Sequence, residues 1–231
     1  MIPVLGIPVL NRPDLLAACL ASIDHPIGRL VIIDNSPTGE MGAVAEGAYR
    51  GELFVTEPPA NLGFAASINL VIRTHPGLPW WAFANADVVF APGDLARLES
   101  AMTGDGPRCV CLLDWRAFGI NARCVDRVGL WDENYHPAYV EDCDWEWRCA
   151  LADVPIHRLP SDTSHVGSVI LGEERYARHN ARTHAANLEY HAQKWGGYAR
   201  GGERFLTPFD RGGWVGDWTL DIRRLARQAW D

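Results

Sequence analysis

Apolar runs alternate with amphipathic segments along the first hundred residues. "IPVLGIPVL" (residues 2–10) is rich in Val and Ile and predicts a strand buried on both faces. In "NRPDLLAACLASI" (11–23), Leu15, Leu16, Cys19, Leu20 and Ile23 recur at helical spacing. Asn11 stands where a cap is needed, Pro13 suits the first turn, and Asp14 complements the helix dipole. "RLVIIDNSPTG" predicts a second buried strand ending at Asp34, followed by turn residues. "GAVAEGAY" reads as a short helix and "ELFVTEP" as a third strand. "NLGFAASINLVIRTHPG" is a glycine-containing loop running into a helix, "WWAFANADVVF" a fourth strand, and "APGDLARLESAM" a helix. This β-α alternation predicts a mostly parallel sheet covered by helices on both faces. Such sheets bind ligands beyond the carboxyl ends of their strands.

The second half is less regular. "RCVCLL" is a strand, "AFGINARCVDRVGLWDENY" a strand or loop followed by a short helix, and "VEDCDWEWRCALAD" a helix opening on acids. "VPIHRLP" is a short strand and "GEERYARHNARTHAANLEYHAQKW" a long polar helix. A Gly- and Trp-rich tail and a final amphipathic helix, "DIRRLARQAW", follow.

One stretch breaks the pattern. "FANADVVF" (83–90) reads as a buried strand, yet carries Asn85 and Asp87 in its middle, on one face by strand alternation. A buried carboxylate is costly unless it is paired or holds a cation.

Composition narrows the classes. The 231 residues suit one large α/β domain, or one domain with an elaborated tail. A net charge of −8 argues against gripping a nucleic-acid backbone. It leaves room for a small anion held through a metal or helix N-termini. No run of eighteen apolar residues occurs, so no integral membrane segment is expected. "MIPVLGIPVLNRPD" lacks the basic region and cleavage site of a signal peptide, and the expected location is the cytoplasm. The six cysteines form no C-x-x-C pair and are expected to be reduced, mostly buried thiols.

Four polar clusters could carry chemistry: Asp34-Asn35, Asn85-Ala86-Asp87, Glu141-Asp142-Cys143-Asp144, and His165. Each also has an ordinary structural explanation. Asp at a strand end is often a turn or cap residue, and acids in a first helical turn complement the dipole. Their order on a β-α-β framework favours a shared site. Asp144 and Arg148 stand i,i+4 and are expected to pair as helix support. Trp131, Tyr135, Tyr139, Trp145 and Trp147 gather around the acidic segment, as core or as a binding platform.

The ordered set resembles family 2 glycosyltransferases, inverting enzymes of the GT-A fold, and among them the rhamnosyltransferase-like members. "IPVLNRPDLLAACLASI" is similar to that family's first strand and helix, and "VIIDNSPTG" to its base-binding strand. "NLGFAASINLVI" resembles its N-x-G-x-x-x-x-x-N loop, at Asn61, Gly63 and Asn69, and "NADV" a weaker form of the D-x-D metal motif. "VGLWDENYHPAYVEDCDWEWRCALAD" resembles the segment carrying the family's E-D pair. The resemblance spans roughly residues 1–197.

It implies a GT-A (Rossmann-like) α/β domain over 1–197, with a nucleotide-sugar-binding half at 1–100 and an acceptor and catalytic half at 101–170. Residues 198–231 would be a helical C-terminal extension packed on that domain. The implied donor is a nucleotide-diphosphate sugar, with Pro8, Asn11, Asp34, Asn35, Asn61, Gly63, Asn69 and Asn85 at its site. Asp87 and His165 would hold Mn²⁺ or Mg²⁺, while Asn85 replaces the usual first acid and removes one charge. Asp142 would be the general base and Glu141 the runner-up or an acceptor contact, with Trp131 and Trp145 beside the acceptor. The acceptor, whether glycan, protein or lipid-linked, stays open, as do the nucleotide (UDP, dTDP or GDP) and a homodimer. A catalytically weak or inactive carbohydrate- or nucleotide-binding module is the alternative, favoured by Asn85 alone. A nucleotidyltransferase would want a Gly-rich, lysine-bearing phosphate loop, which the N-terminus lacks.

Overall fold

The computed structural model describes residues 1–167 and 174–195. The proposed extension at 198–231, including its last helix, lies outside them.

The N-terminal alternation is present: β1 (Leu5–Val9), α1 (Pro13–Ala21), β2 (Leu30–Asp34), α2 (Met41–Ala48), β3 (Leu53–Thr56), α3 (Gly63–Thr74) and β4 (Trp80–Ala84). Then come β5 (Val88–Val89), α4 (Asp94–Met102), β6 (Cys109–Leu113), β7 (Ala117–Asn121), α5 (Ala122–Val128) and α6 (Glu141–Leu151). Last are β8 (Ile156–Arg158), β9 (Ser164–His165) and α7 (Glu174–Trp195). Seven strands form one sheet in the order β3-β2-β1-β4-β7-β6-β8. Strands β3, β2, β1 and β4 pair in parallel, and so do β6 and β8; β7 runs against both of its neighbours. This is the mostly parallel, GT-A-type sheet flanked by helices.

Strand alternation divides the core into two layers. Leu5, Ile7, Leu30, Ile32, Ala82 and Val110 face α1, α2 and α4, through Leu16, Leu20, Met41 and Leu98. Val31, Ile33, Trp81, Phe83, Cys109 and Cys111 face α3, α5 and α6, through Ile68, Val71, Cys124 and Trp145. Central strands buried on both faces must be apolar at nearly every position, which is why β2 and β4 read as continuous apolar runs. The edge strand β3 alternates between half-buried and exposed positions.

The fourth strand is shorter than its sequence predicts. It ends at Ala84, and Asn85-Ala86-Asp87 form a turn. Asn85 N–H donates to Arg116 O (2.8 Å), and Val88 N–H donates back to Asn85 O (3.2 Å). Val88 and Val89 then leave the main sheet and pair antiparallel with His165 and Ser164. Asn85 and Asp87 are therefore partly buried turn residues past the strand's carboxyl end, not neighbours on a strand face. Asn11 differs from expectation too. It and Arg12 take left-handed φ values of 56° and 61°, and α1 has Arg12 at its cap position with no side-chain cap.

Candidate active site

The loops after β1, β2, β3 and β4 converge on one pocket of about 840 Å³. Pro8 to Arg12 follow or end β1, Asn35 to Pro37 follow β2, Pro58 to Asn61 follow β3, and Asn85 to Asp87 follow β4. The pocket thus occupies the place where open α/β sheets bind ligands. Gly63 and Phe64 close one side, Pro137 to Tyr139 another, and Tyr176, His179 and Asn180 of α7 a third.

The walls are tied together by specific hydrogen bonds. Asn11 N–H donates to Ser36 Oγ (2.7 Å), and its amide donates to Tyr176 Oη (2.6 Å). Asn35 accepts from Leu62 N–H (2.8 Å) and donates to Ser67 Oγ (3.1 Å). Asn61 Oδ1 accepts from Gly63 N–H (2.8 Å). Gly63 has φ +74°, and a Cβ there would sit 2.4 Å from the Pro137 carbonyl oxygen. Only glycine allows that approach, which lets Phe64 N–H donate to Pro137 O at 2.7 Å.

At the β4 end, Asp87 lines the pocket and its Oδ2 lies 3.6 Å from His165 Nδ1. Val166 N–H donates to Asp87 O (3.2 Å), so the two-stranded β5–β9 ribbon brings these side chains together. Among the described residues, no group of three or more His, Cys, Asp and Glu side chains could hold a metal by itself. A carboxylate oxygen in the pocket wall, with an imidazole nitrogen beside it, nonetheless fits a hard cation that takes one or two protein ligands and fills its shell with phosphate and water oxygens.

Several expected site residues do other work. Asp34 is 1% exposed and absent from the pocket wall; its oxygens accept from Ser36 N–H (2.9 Å) and Met41 N–H (3.2 Å). Asn69 is fully buried, exchanging hydrogen bonds with the Trp131 backbone (2.8 and 2.9 Å) and donating to Glu133 (2.7 Å). It clamps α3 to the 131–133 segment, 62 residues away, and is not a donor-site contact. Trp131 and Trp145 are 2% and 0% exposed and stack at 4.8 Å with planes 4° apart. Burial in the aromatic core removes them from the acceptor platform. Of the five aromatic residues near the acids, Tyr139 lines the pocket.

The acidic segment splits into unlike parts. Asp144 is fully buried, and although burial pushes its carboxyl up, Arg148 and Lys194 hold it below the usual range. Its expected bond with Arg148 Nε is present at 2.8 Å. Glu141 is buried, and among the described residues its Oε2 has no hydrogen-bond partner. Burial, with Asp142 and Asp144 nearby, raises its carboxyl well above the ordinary value. This environment disfavours the ionised form that a general base needs, and so favours Asp142 over Glu141 for that role. Asp142 is half-buried in the first turn of α6, and its Oδ1 accepts from Cys143 N–H (2.8 Å). It follows Tyr139 of the pocket wall by three residues but does not itself line the pocket.

The α7 wall was not foreseen in sequence, although Tyr176, His179 and Asn180 carry a signal: they stand i, i+3 and i+4 and so share one helical face.

The family model for glycosyl transferase family 2 matches residues 5–126. The chain belongs to glycosyl transferase family 2. Solved structures carry the same fold. Glucosyl-3-phosphoglycerate synthase from Mycobacterium tuberculosis, in complex with Mn²⁺, UDP and glucosyl-3-phosphoglycerate, is 13% identical over 82% of this chain and 79% of that one, with TM-score 0.56. S. aureus TarS 1-349, in complex with UDP-GlcNAc, is 14% identical over 84% and 73%, with TM-score 0.56. GalNAc-T7 with UDP, GalNAc and Mn²⁺ is 12% identical over 71% and 43%, with TM-score 0.61. No curated protein matches the chain. No helix of this family member, among the described residues, is long and apolar enough to cross a membrane.

Proposed function

We propose that the protein transfers a sugar from a nucleotide-diphosphate sugar to an acceptor hydroxyl, with inversion at the anomeric carbon and help from a divalent cation. The observation that carries this reading is the pocket at the carboxyl ends of β1, β2 and β4, with Asp87 in its wall and His165 beside it. The donor would lie along Pro8, Asn11, Asn35, Asn61, Gly63 and Asn85, which share that wall. The similar structures that hold UDP, UDP-GlcNAc, Mn²⁺ or Mg²⁺ support the choice of donor class and cation.

In the reaction, Asp142 takes the proton of the acceptor hydroxyl as its oxygen attacks the anomeric carbon from the face opposite the diphosphate. The sugar–diphosphate C–O bond breaks, and the nucleoside diphosphate leaves with the electron pair. Asp87 and His165 would hold the cation, whose chemistry when bound is to stabilise the charge on that leaving group. Asn85, as a neutral amide in the first position of the motif, leaves Asp87 as the single carboxylate there. The six free cysteines suit a reducing compartment such as the cytoplasm.

The test is thermal shift and turnover with UDP, dTDP and GDP sugars, with and without Mn²⁺. One nucleotide should stabilise the protein in a Mn²⁺-dependent way, and Asp87→Ala should abolish both that shift and transfer while the fold survives. Mn²⁺-dependent affinity unchanged in Asp87→Ala would sink the cation assignment. The product's anomeric configuration, read by NMR, checks inversion independently.

A further inference from the structure

Asp94, the first residue of α4, does not line the pocket, yet its buried carboxylate accepts from four donors. Its side chain is 3% exposed. Oδ2 accepts from Thr163 Oγ1 (2.6 Å), Thr163 N–H (3.3 Å) and Ser161 Oγ, while Oδ1 pairs with Arg97. Four donors nearly fill the capacity of one carboxylate. Thr163 Oγ1 in turn accepts from Ala91 N–H (3.1 Å). Burial pushes the Asp94 carboxyl up, but Ser161, Thr163 and Arg97 hold it below its ordinary value, so these donors meet an ionised group.

This network grips the strap between β8 and β9 at a point two residues before His165. Beyond it, His165 is held by the β5–β9 ribbon, which has two residues in each strand. An isolated ribbon of that length is not stable in water, since even longer hairpins are marginal alone. The strap must therefore be fixed elsewhere, and charge-assisted bonds to a buried carboxylate are the strongest such anchor available. At the near end, Leu159 N–H donates to Cys111 O (2.9 Å), which ties the strap to β6 but leaves five residues before His165 to be placed.

We infer that Asp94, acting through Thr163, is the positioning residue that holds the His165 imidazole against Asp87. The inference rests on the proposed cation role of Asp87 and His165 for its consequence, a cation affinity that depends on a residue touching neither the cation nor the substrate. Partners behind metal ligands typically change affinity by about 10–100-fold when removed.

The experiment measures Mn²⁺ uptake by electron paramagnetic resonance of free Mn²⁺, at saturating nucleoside diphosphate, together with the ring resonances of His165 by NMR. Asp94→Asn and Thr163→Val should each weaken Mn²⁺ binding by about 10–100-fold. Thr163→Ser, which restores the hydroxyl, should recover it. In a double-mutant cycle, Asp94→Asn should add little on top of His165→Ala, because both remove the same contribution. The His165 ring resonances should move toward those of a free histidine in Asp94→Asn and Thr163→Val. Wild-type Mn²⁺ affinity and unshifted ring resonances in folded Thr163→Val would overturn the inference, even if Asp94→Asn failed to fold. If the wild type itself took up no Mn²⁺ with any nucleotide, the cation reading would fall. The ring resonances would then decide the positioning role: a shift upholds it and an unchanged spectrum overturns it.

Discussion

Lys194 Nζ lies 2.9 Å from Asp132 Oδ2, with both side chains 2% exposed or less. The same ammonium contacts Asp144. The chain's single lysine therefore sits near the end of α7, neutralising two buried carboxylates from the segment before and inside α6. Tyr190 Oη donates to Asp132 (2.8 Å), Trp195 Nε1 donates to Asp144 (2.8 Å), and Asn187 donates to the Ala138 and Tyr139 carbonyls (2.9 and 3.0 Å). These bonds fix α7 where its N-terminal turns can wall the pocket.

Lys194→Met keeps the length of the side chain and removes the charge. It leaves Asp132 and Asp144 buried with less compensation, and should cost about 3–5 kcal/mol. Urea unfolding measures this. A midpoint equal to wild type would show that α7 is not held by the charge.

Trp145→Ala opens a cavity beside Trp131 and should cost about 3–5 kcal/mol. Acceptor affinity of the folded fraction should be unchanged, because the ring has no exposed surface. A variant of wild-type stability with a raised acceptor KM would instead restore Trp145 to the acceptor site.

Glu141 predicts a pH effect of definite sign. Its folded pKa is raised above the ordinary value of 4.5, so the unfolded chain ionises first. Stability linked to this group is fully present below that value and is lost as pH rises from it toward the raised folded pKa. Glu141→Gln removes the effect. The difference in unfolding free energy, variant minus wild type, should therefore grow in favour of the variant between pH 4 and pH 7.5. A difference independent of pH would show that the Glu141 carboxyl titrates normally.

Asp142→Asn keeps shape and removes basicity. If Asp142 takes the acceptor proton, turnover should fall by about 10²–10⁴-fold while donor affinity stays near wild type. A full loss of donor binding would place Asp142 with the nucleotide instead, and unchanged turnover would require another base.

The sequence by itself determined the layered sheet. Its strands are short apolar runs, its helices amphipathic, and both patterns depend on spacing within a few residues. The family signature and the Asp144–Arg148 pair were legible for the same local reason, being set by ordered motifs and by i,i+4 geometry. The turn at Asn85-Ala86-Asp87 was not, because it depends on pairing of Val88 and Val89 with residues more than seventy positions later. Only the tertiary structure decided that Asp34 and Asn69 hold backbone and that Trp131 and Trp145 stack in the core. It also decided that Glu141 Oε2 is buried without a partner among the described residues, and that α7 supplies a wall of the pocket. An Asp, Asn or Trp has the same local signal in a binding site as in a core. Its role is set by which distant groups surround it, and burial and partners come only from the packed chain.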